Sequence, residues 1–171
     1  MTKPAEKVSD KAGAGARKGD RVVATNRRAT HDYHIDERIE AGLVLTGTEV
    51  KSLRDGRAQL ADAYASGEGN EFYLYNLHIS PYEAGNRFNH DPTRRRKLLL
   101  HRREMRRLGA LVSRKGLTLV PLQIYFLRGY AKVLLGVARG KKAYDKRQAI
   151  AERDASREMR RALRERSRDR S

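Results

Sequence analysis

Read from the N-terminus, the apolar positions of this chain fall into short runs with two different periods. Leu43 to Leu53 mixes apolar and polar residues and places β-branched Val44, Thr46, Thr48 and Val50 on one parity, so it predicts a half-buried strand. Just before it, Ile35 to Gly42 reads as a short helix, with Ile35 and Ile39 on one face and Gly42 as its C-cap. Ala63–Ser66 and Glu71–Ile79 flank Gly67-Glu68-Gly69-Asn70, a hairpin signal. Asn86 to Arg96 is a polar loop containing Pro92. Lys97-Leu98-Leu99-Leu100 is too short to assign to strand or helix. A helix follows over Arg102 to Lys115, where Met105, Leu108 and Leu111 or Val112 recur at helical spacing and Gly116 ends the run. His101 and Glu104 imitate a capping box there. Leu117–Leu127 and Tyr130–Ala138 are two strands around Arg128-Gly129, the second with Ala131, Val133, Leu135 and Val137 on one face. Pro121 argues against a central strand position unless a bulge lies there. About five or six antiparallel strands and one main helix predict a closed or partly open barrel.

The ends differ from the middle. Residues 1–21 are rich in Lys, Gly and Ala and hold one bulky apolar residue, Val8, which predicts a disordered arm. Residues 22–138 form the folded domain. Beyond them, 139–171 carry few large apolar residues, among them Tyr144, Ile150, Met159 and Leu163. Ala155, Met159, Ala162 and Leu163 make only a narrow helical stripe. This predicts a disordered tail that folds on a partner.

Charge narrows the choice of partner. The 171 residues include 38 Lys+Arg and 21 Asp+Glu, for a formal net charge of +17. The excess is clustered: 94–115 hold ten basic residues and one acid, and 139–171 hold thirteen and six. Blocks of this kind are the electrostatic footprint of a nucleic-acid binder, because each phosphate neutralised releases counterions. There are no cysteines, which excludes disulfides and thiolate metal sites and fits a reducing compartment. No apolar run reaches the roughly 18 residues of a membrane span, and no secretory leader is evident, so a soluble cytoplasmic protein is expected.

Chemistry beyond binding finds little support. His31 and His34 are close in sequence but lack a third ligand at useful spacing, so no metal is expected. There is no P-loop and no G-x-S-x-G elbow. Glu37, Glu40 and Glu49 fit surface or ion-pair roles. We therefore expect a binder without cofactor, not an enzyme. Asn26-Arg27-Arg28 stands at the entry to the folded part, and Arg94, Arg95, Arg96 and Lys97 form a dense basic run. Tyr33, Phe72, Tyr73, Tyr75 and Tyr82 are rings that either pack in the core or stack on unpaired bases. Phosphate contacts position an RNA without reading it. On these grounds alone, a basic ribosomal or ribosome-assembly protein binding structured rRNA accounts for the charge equally well.

Ordered words in the chain add a resemblance. They are Asn26-Arg27-Arg28-Ala29, His31-Asp32-Tyr33, Glu40-Ala41-Gly42-Leu43, Gly47-Thr48-Glu49-Val50-Lys51-Ser52-Leu53-Arg54, Asp91-Pro92-Thr93-Arg94, Arg96-Lys97-Leu98-Leu99-Leu100, Gly136-Val137-Ala138-Arg139-Gly140-Lys141-Lys142 and Asp145-Lys146-Arg147. Over about residues 22–150 this set resembles the SsrA-binding protein family. The resemblance implies a mainly β fold: an OB-like antiparallel β-barrel with flanking helices and a basic tail. It also implies a non-catalytic role in trans-translation, with transfer-messenger RNA and the ribosome as partners and elongation factor Tu engaged indirectly through the aminoacylated RNA. RNA-contacting positions of the family match Asn26, Glu40 and Leu99; charge and proximity add Arg27, Arg28, Lys51, Arg54, Arg96 and Lys97. A carboxylate such as Glu40 repels phosphate but accepts from a base amine or a 2′-OH. Gly140, Lys141, Lys142, Asp145, Lys146 and Arg147 match the family's decoding-centre segment, and Tyr144 lies where a stacking ring is expected. The family's pair of bulky apolar tail residues aligns with Ala162 and Leu163. Met159 offers a substitute for the small Ala162.

Overall fold

A computed structural model of the chain describes residues 20–113, 117–141 and 143–168. Nine strands and four α-helices are present among them: β1 Arg21–Thr25, α1 Arg27–Asp32, β2 Tyr33–Leu43, α2 Gly47–Arg54, β3 Ala58–Gln59, β4 Tyr64–Glu68, β5 Glu71–Tyr75, β6 His78–Ile79, β7 Arg96–Leu99, α3 Arg102–Val112, β8 Leu117–Leu127, β9 Tyr130–Gly140 and α4 Ala143–Arg168. A 3-10 turn spans Glu83–Phe88.

Seven strands run in the order β1-β8-β4-β5-β7-β2-β9, all antiparallel, and β9 pairs again with β8. That last pairing closes a six-stranded ring and removes its free edges. Alternation fills the ring: Ile39, Ala41 and Leu43 from β2, Phe72 and Leu74 from β5, Leu98 from β7, and Val133, Leu135 and Val137 from β9 point inward. Leu53 from α2 and Leu108 from α3 join the same core and are fully buried.

Pro121 lies inside a central strand, the position it argues against, and a bulge, the one exception, accompanies it. The β8–β9 register shifts between Pro121 and Gln123. One extra residue inverts side-chain parity. Leu119 before the shift and Ile124 after it both face the ring interior. Val120, Leu122 and Tyr125 instead face outward, where they form a second core with Leu134, Ala138 and Ala29 of α1.

Three expectations change. The segment expected to be a helix, Ile35 to Gly42, lies within strand β2. A separation of four residues satisfies period 2 as well as period 3.6, so Ile35 and Ile39 could not discriminate. The expected strand Leu43–Leu53 is instead the end of β2, a turn, and helix α2. Thr46-x-x-Glu49 is a capping sequence, and Glu49 Oε2 accepts from the Thr46 N–H at 2.8 Å. The tail expected to be disordered from 139 onward continues β9 to Gly140 and is helical from Ala143 to Arg168. Those 26 residues contain no Gly or Pro and are dominated by strong helix formers. All but Asp20 and Arg21 of the expected N-terminal arm falls outside the described residues, and Arg21 already begins β1.

Candidate nucleic-acid interface

Asn26 caps α1. Its Oδ1 accepts from the Ala29 N–H at 3.2 Å, while its Nδ2 donates to Leu60 O at 3.2 Å and Pro121 O at 3.1 Å. Both amide protons are thereby used. Asn26 is buried, so it organises the surface more than it presents itself to a ligand. Arg27 and Arg28 follow it on the exposed first turn, and Arg28 lies 3.8 Å from Asp62. Between α1 and β4 a cleft of about 370 Å³ is lined by Asn26, Arg28, Asp32, Tyr33, Asp62 and Tyr64 among others.

Glu40 and Leu99 come together through register. Gly42 of β2 pairs with Leu99 of β7 on one side and Lys132 of β9 on the other, and Glu40 lies two residues along the same strand face. Leu99 is 55% exposed, unusual for a leucine on a barrel strand. A Cβ on Gly42 would stand 3.0 Å from Leu99 Cβ, so the glycine leaves Leu99 its place. The Glu40 carboxylate accepts from the Tyr125 hydroxyl and lies 3.9 Å from Lys132 Nζ. Tyr125 and Lys132 were missed by sequence reasoning, because only strand register reveals them.

Arg95 and the strand β7 that follows it sort their side chains by parity. Arg95, Lys97 and Leu99 point outward; Arg96 and Leu98 point inward. Lys97 Nζ pairs with Glu71, and this hydrogen bond holds its ammonium above the ordinary lysine pKa. Arg95 lies over the Tyr73 ring at 4.6 Å, and Tyr75 stacks on Tyr64 at 5.3 Å. Of the ring candidates, Tyr73 and Tyr75 are therefore on the outer face, Phe72 is in the core, Tyr33 packs against the second core, and Tyr82 lies under Lys51 at 5.4 Å. Lys51 and Arg54 are exposed on α2, with Arg54 over Phe126 at 5.9 Å.

Arg96 corrects the expectation of an RNA contact there. Its side chain is fully buried. Nε donates to Glu49 Oε1 at 2.8 Å, Nη1 to Leu77 O at 2.5 Å and Arg94 O at 3.0 Å, and Nη2 to Pro92 O at 3.1 Å. Glu49 is equally buried and accepts from Arg94 as well, at 2.8 and 2.5 Å. Burial pushes the Glu49 carboxyl up. Arg94, the Thr46 N–H and Arg96 outweigh that and hold it below the usual range.

The start of the tail segment is fixed to α1. Gly140 pairs with Tyr33, the Lys141 N–H donates to Asp32 O at 3.0 Å, and Lys141 Nζ donates to Thr30 O at 3.0 Å. Lys146 Nζ lies 3.8 Å from Asp32, whose carboxyl is held low first by its hydrogen bond with His31. Lys142 lies outside the described residues. Tyr144, Asp145 and Arg147 fall in the first turns of α4, and Met159 and Leu163 stand one turn apart further along, both exposed.

These roles make different demands on the fold. Asn26→Ala removes a helix cap and orphans buried groups, and is expected to cost about 2–3 kcal/mol. Leu99→Ala should stay within about 0.5 kcal/mol, as an exposed side chain does. Urea unfolding midpoints of the two variants check this; equal midpoints would contradict the division into organising and contacting residues.

A closed OB-like barrel, basic on its outside and carrying a long basic helix, defines the class of RNA-binding barrels. A family model described as SmpB protein matches residues 23–165. The SsrA-binding protein of Syntrophomonas wolfei is 62% identical over 151 residues, covering 88% of this chain and 96% of the relative. That of Carboxydothermus hydrogenoformans is 59% identical over 147 residues, covering 86% and 99%. A chain from the solved structure "tmRNA-SmpB: a journey to the center of the bacterial ribosome" superposes with a TM-score of 0.63 at 58% identity, covering 75% of this chain and 94% of that one. The chain belongs to the SmpB family of SsrA-binding proteins.

Proposed function

We propose that this protein binds the tRNA-like domain of transfer-messenger RNA and delivers it to stalled ribosomes for trans-translation. The observation that carries the reading is the outer face where Glu40, Leu99 and Lys132 meet around Gly42, in a chain whose family membership spans nearly its whole folded part. The face suits a folded RNA. Lys132 and Lys97 supply charge for the phosphate backbone, Leu99 supplies an apolar contact, and Glu40 offers a carboxylate oriented by Tyr125 to a base amine or a 2′-OH. None of these groups is asked to make or break a bond, so the protein is an adaptor and not an enzyme. The segment from Gly140 through Arg147 then enters the decoding centre, and α4 with Met159 and Leu163 occupies the empty messenger channel. Elongation factor Tu joins indirectly, through the aminoacyl end of the RNA. This work is cytoplasmic, and no described helix is long and apolar enough to cross a membrane.

The test is a pair of titrations at one salt concentration, the isolated tRNA-like domain against an unrelated tRNA. The tRNA-like domain should bind at least tenfold more tightly, about 1.4 kcal/mol. Equal affinities would remove the claim of specific recognition.

A further inference from the structure

Helix α3 carries an arrangement of charge that its own stability disfavours. Arg102, Arg103, Arg106 and Arg107 crowd its first two turns. The N-terminal end of a helix carries the positive end of the backbone dipole, so cations are least welcome there. Arg102 with Arg106, and Arg103 with Arg107, are like-charge pairs at i,i+4, which disfavour the helix. The helix's one acid, Glu104, is engaged with the His101 N–H at 3.0 Å.

Elsewhere on the folded body six arginines are neutralised, although others, such as Arg27, Arg38, Arg54 and Arg128, have no ion pair among the described residues. Arg28, Arg57, Arg94, Arg95, Arg96 and Arg139 all have acid partners. On α3, Arg107 is paired to Glu37 at 2.5 Å. Among the described residues, no ion pair joins Arg102, Arg103 or Arg106 to an acid, and all three are exposed. At roughly 100° per residue they occupy an arc of about 100° whose centre lies opposite Leu108, which faces the core. Their direction is therefore set by the packing of the helix.

Position identifies the ligand. Only Leu100 and His101 separate Leu99 from Arg102, so their Cα atoms lie no more than about 11 Å apart. The unpaired arginines thus begin where the Glu40–Leu99 face ends. We infer that Arg102, Arg103 and Arg106 form a phosphate-contacting extension of that face, engaging the backbone of the same transfer-messenger RNA. This rests on the functional reading above and adds an element to it. Contacts of this type hold the RNA by counterion release, without reading its sequence.

The experiment uses the full chain and the triple variant Arg102→Gln, Arg103→Gln, Arg106→Gln. Glutamine keeps helix propensity, and losing the like charges should leave the unfolding midpoint unchanged or raised. Binding to the isolated tRNA-like domain is measured across a series of salt concentrations. The slope of log affinity against log salt should become shallower by about 2–3, close to 0.9 per lost phosphate contact, with the largest loss of affinity at low salt. An unchanged slope in a folded variant overturns the inference. So does an unchanged slope accompanied by weaker association with purified ribosomes, which would assign the arginines to ribosomal RNA. Should the wild-type protein fail to prefer the tRNA-like domain over an unrelated tRNA, the functional reading fails separately, and the change in slope still reports whether these arginines touch phosphate.

Discussion

Glu49→Ala is expected to destabilise the protein by about 3–5 kcal/mol, the range for removing one partner from a buried, hydrogen-bonded ion pair. The carboxylate links three elements. It caps α2 through the Thr46 N–H, satisfies the fully buried Arg96 of β7, and holds Arg94 in the preceding loop. Alanine leaves the buried Arg96 charge with only carbonyl oxygens as hydrogen-bond partners. Glu49→Gln should fall between, because it keeps an acceptor but loses the charge. The loss also depends on pH in a fixed direction. Glu49 is held below the ordinary carboxylate pKa of 4.5, so the unfolded chain takes up its proton first as pH falls. Its contribution is complete above that value and disappears as pH drops through the lower, folded one. Urea unfolding at pH 7 and again below pH 4 checks both statements. The gap between wild type and Glu49→Gln should narrow at the lower pH, and a cost under about 1 kcal/mol at pH 7 would contradict the role given to Glu49.

Deleting residues 143–171 is expected to abolish peptide tagging on stalled ribosomes while leaving affinity for the tRNA-like domain within about threefold, or ~0.7 kcal/mol. The cut preserves the whole of β9 and the anchoring of Lys141 on α1. What it removes from the body is chiefly the partly exposed Lys146–Asp32 pair at 3.8 Å, worth about 0–1 kcal/mol. The described side chains from Ile150 onward are exposed and contribute no core. Helicity without burial is marginal in isolation, so α4 depends on its surroundings for a fixed course. Gel-shift titration and an in vitro tagging assay separate the outcomes. Tagging that survives would refute the tail's assignment, and collapse of RNA binding would make α4 part of the RNA face.

Where the chain alternates cleanly, its sequence suffices. β9, the β4–β5 hairpin and α3 are legible because each couples a single period to a clear stop signal such as Gly129 or Gly69, and β8 is legible as a β-prone run ending at Arg128-Gly129 despite its change of parity at Pro121. Ile35 to Leu53 resists such a reading, since Ile35 and Ile39 fit either period and the capping pair Thr46 and Glu49 lies in a run of β-branched residues. In the candidate site, Glu40 and Leu99 were reached through family resemblance, and strand register explains why they meet. Lys97 and Arg96 are neighbours with the same charge, and charge alone could not separate them. Strand parity does, given that Leu98 is core. The contributions of Tyr125 and Lys132 depend on which strands become neighbours, information that no local window contains.

The irregularity at Pro121 acts as an index mark on the seam of the barrel. Sliding β9 along β8 by one residue would set the two-against-one count opposite the wrong partners and turn Val133, Leu135 and Val137 out of the interior. The seam can therefore be sewn in one alignment only, which fixes the barrel's girth and, through it, the distance across which its outer residues meet an RNA.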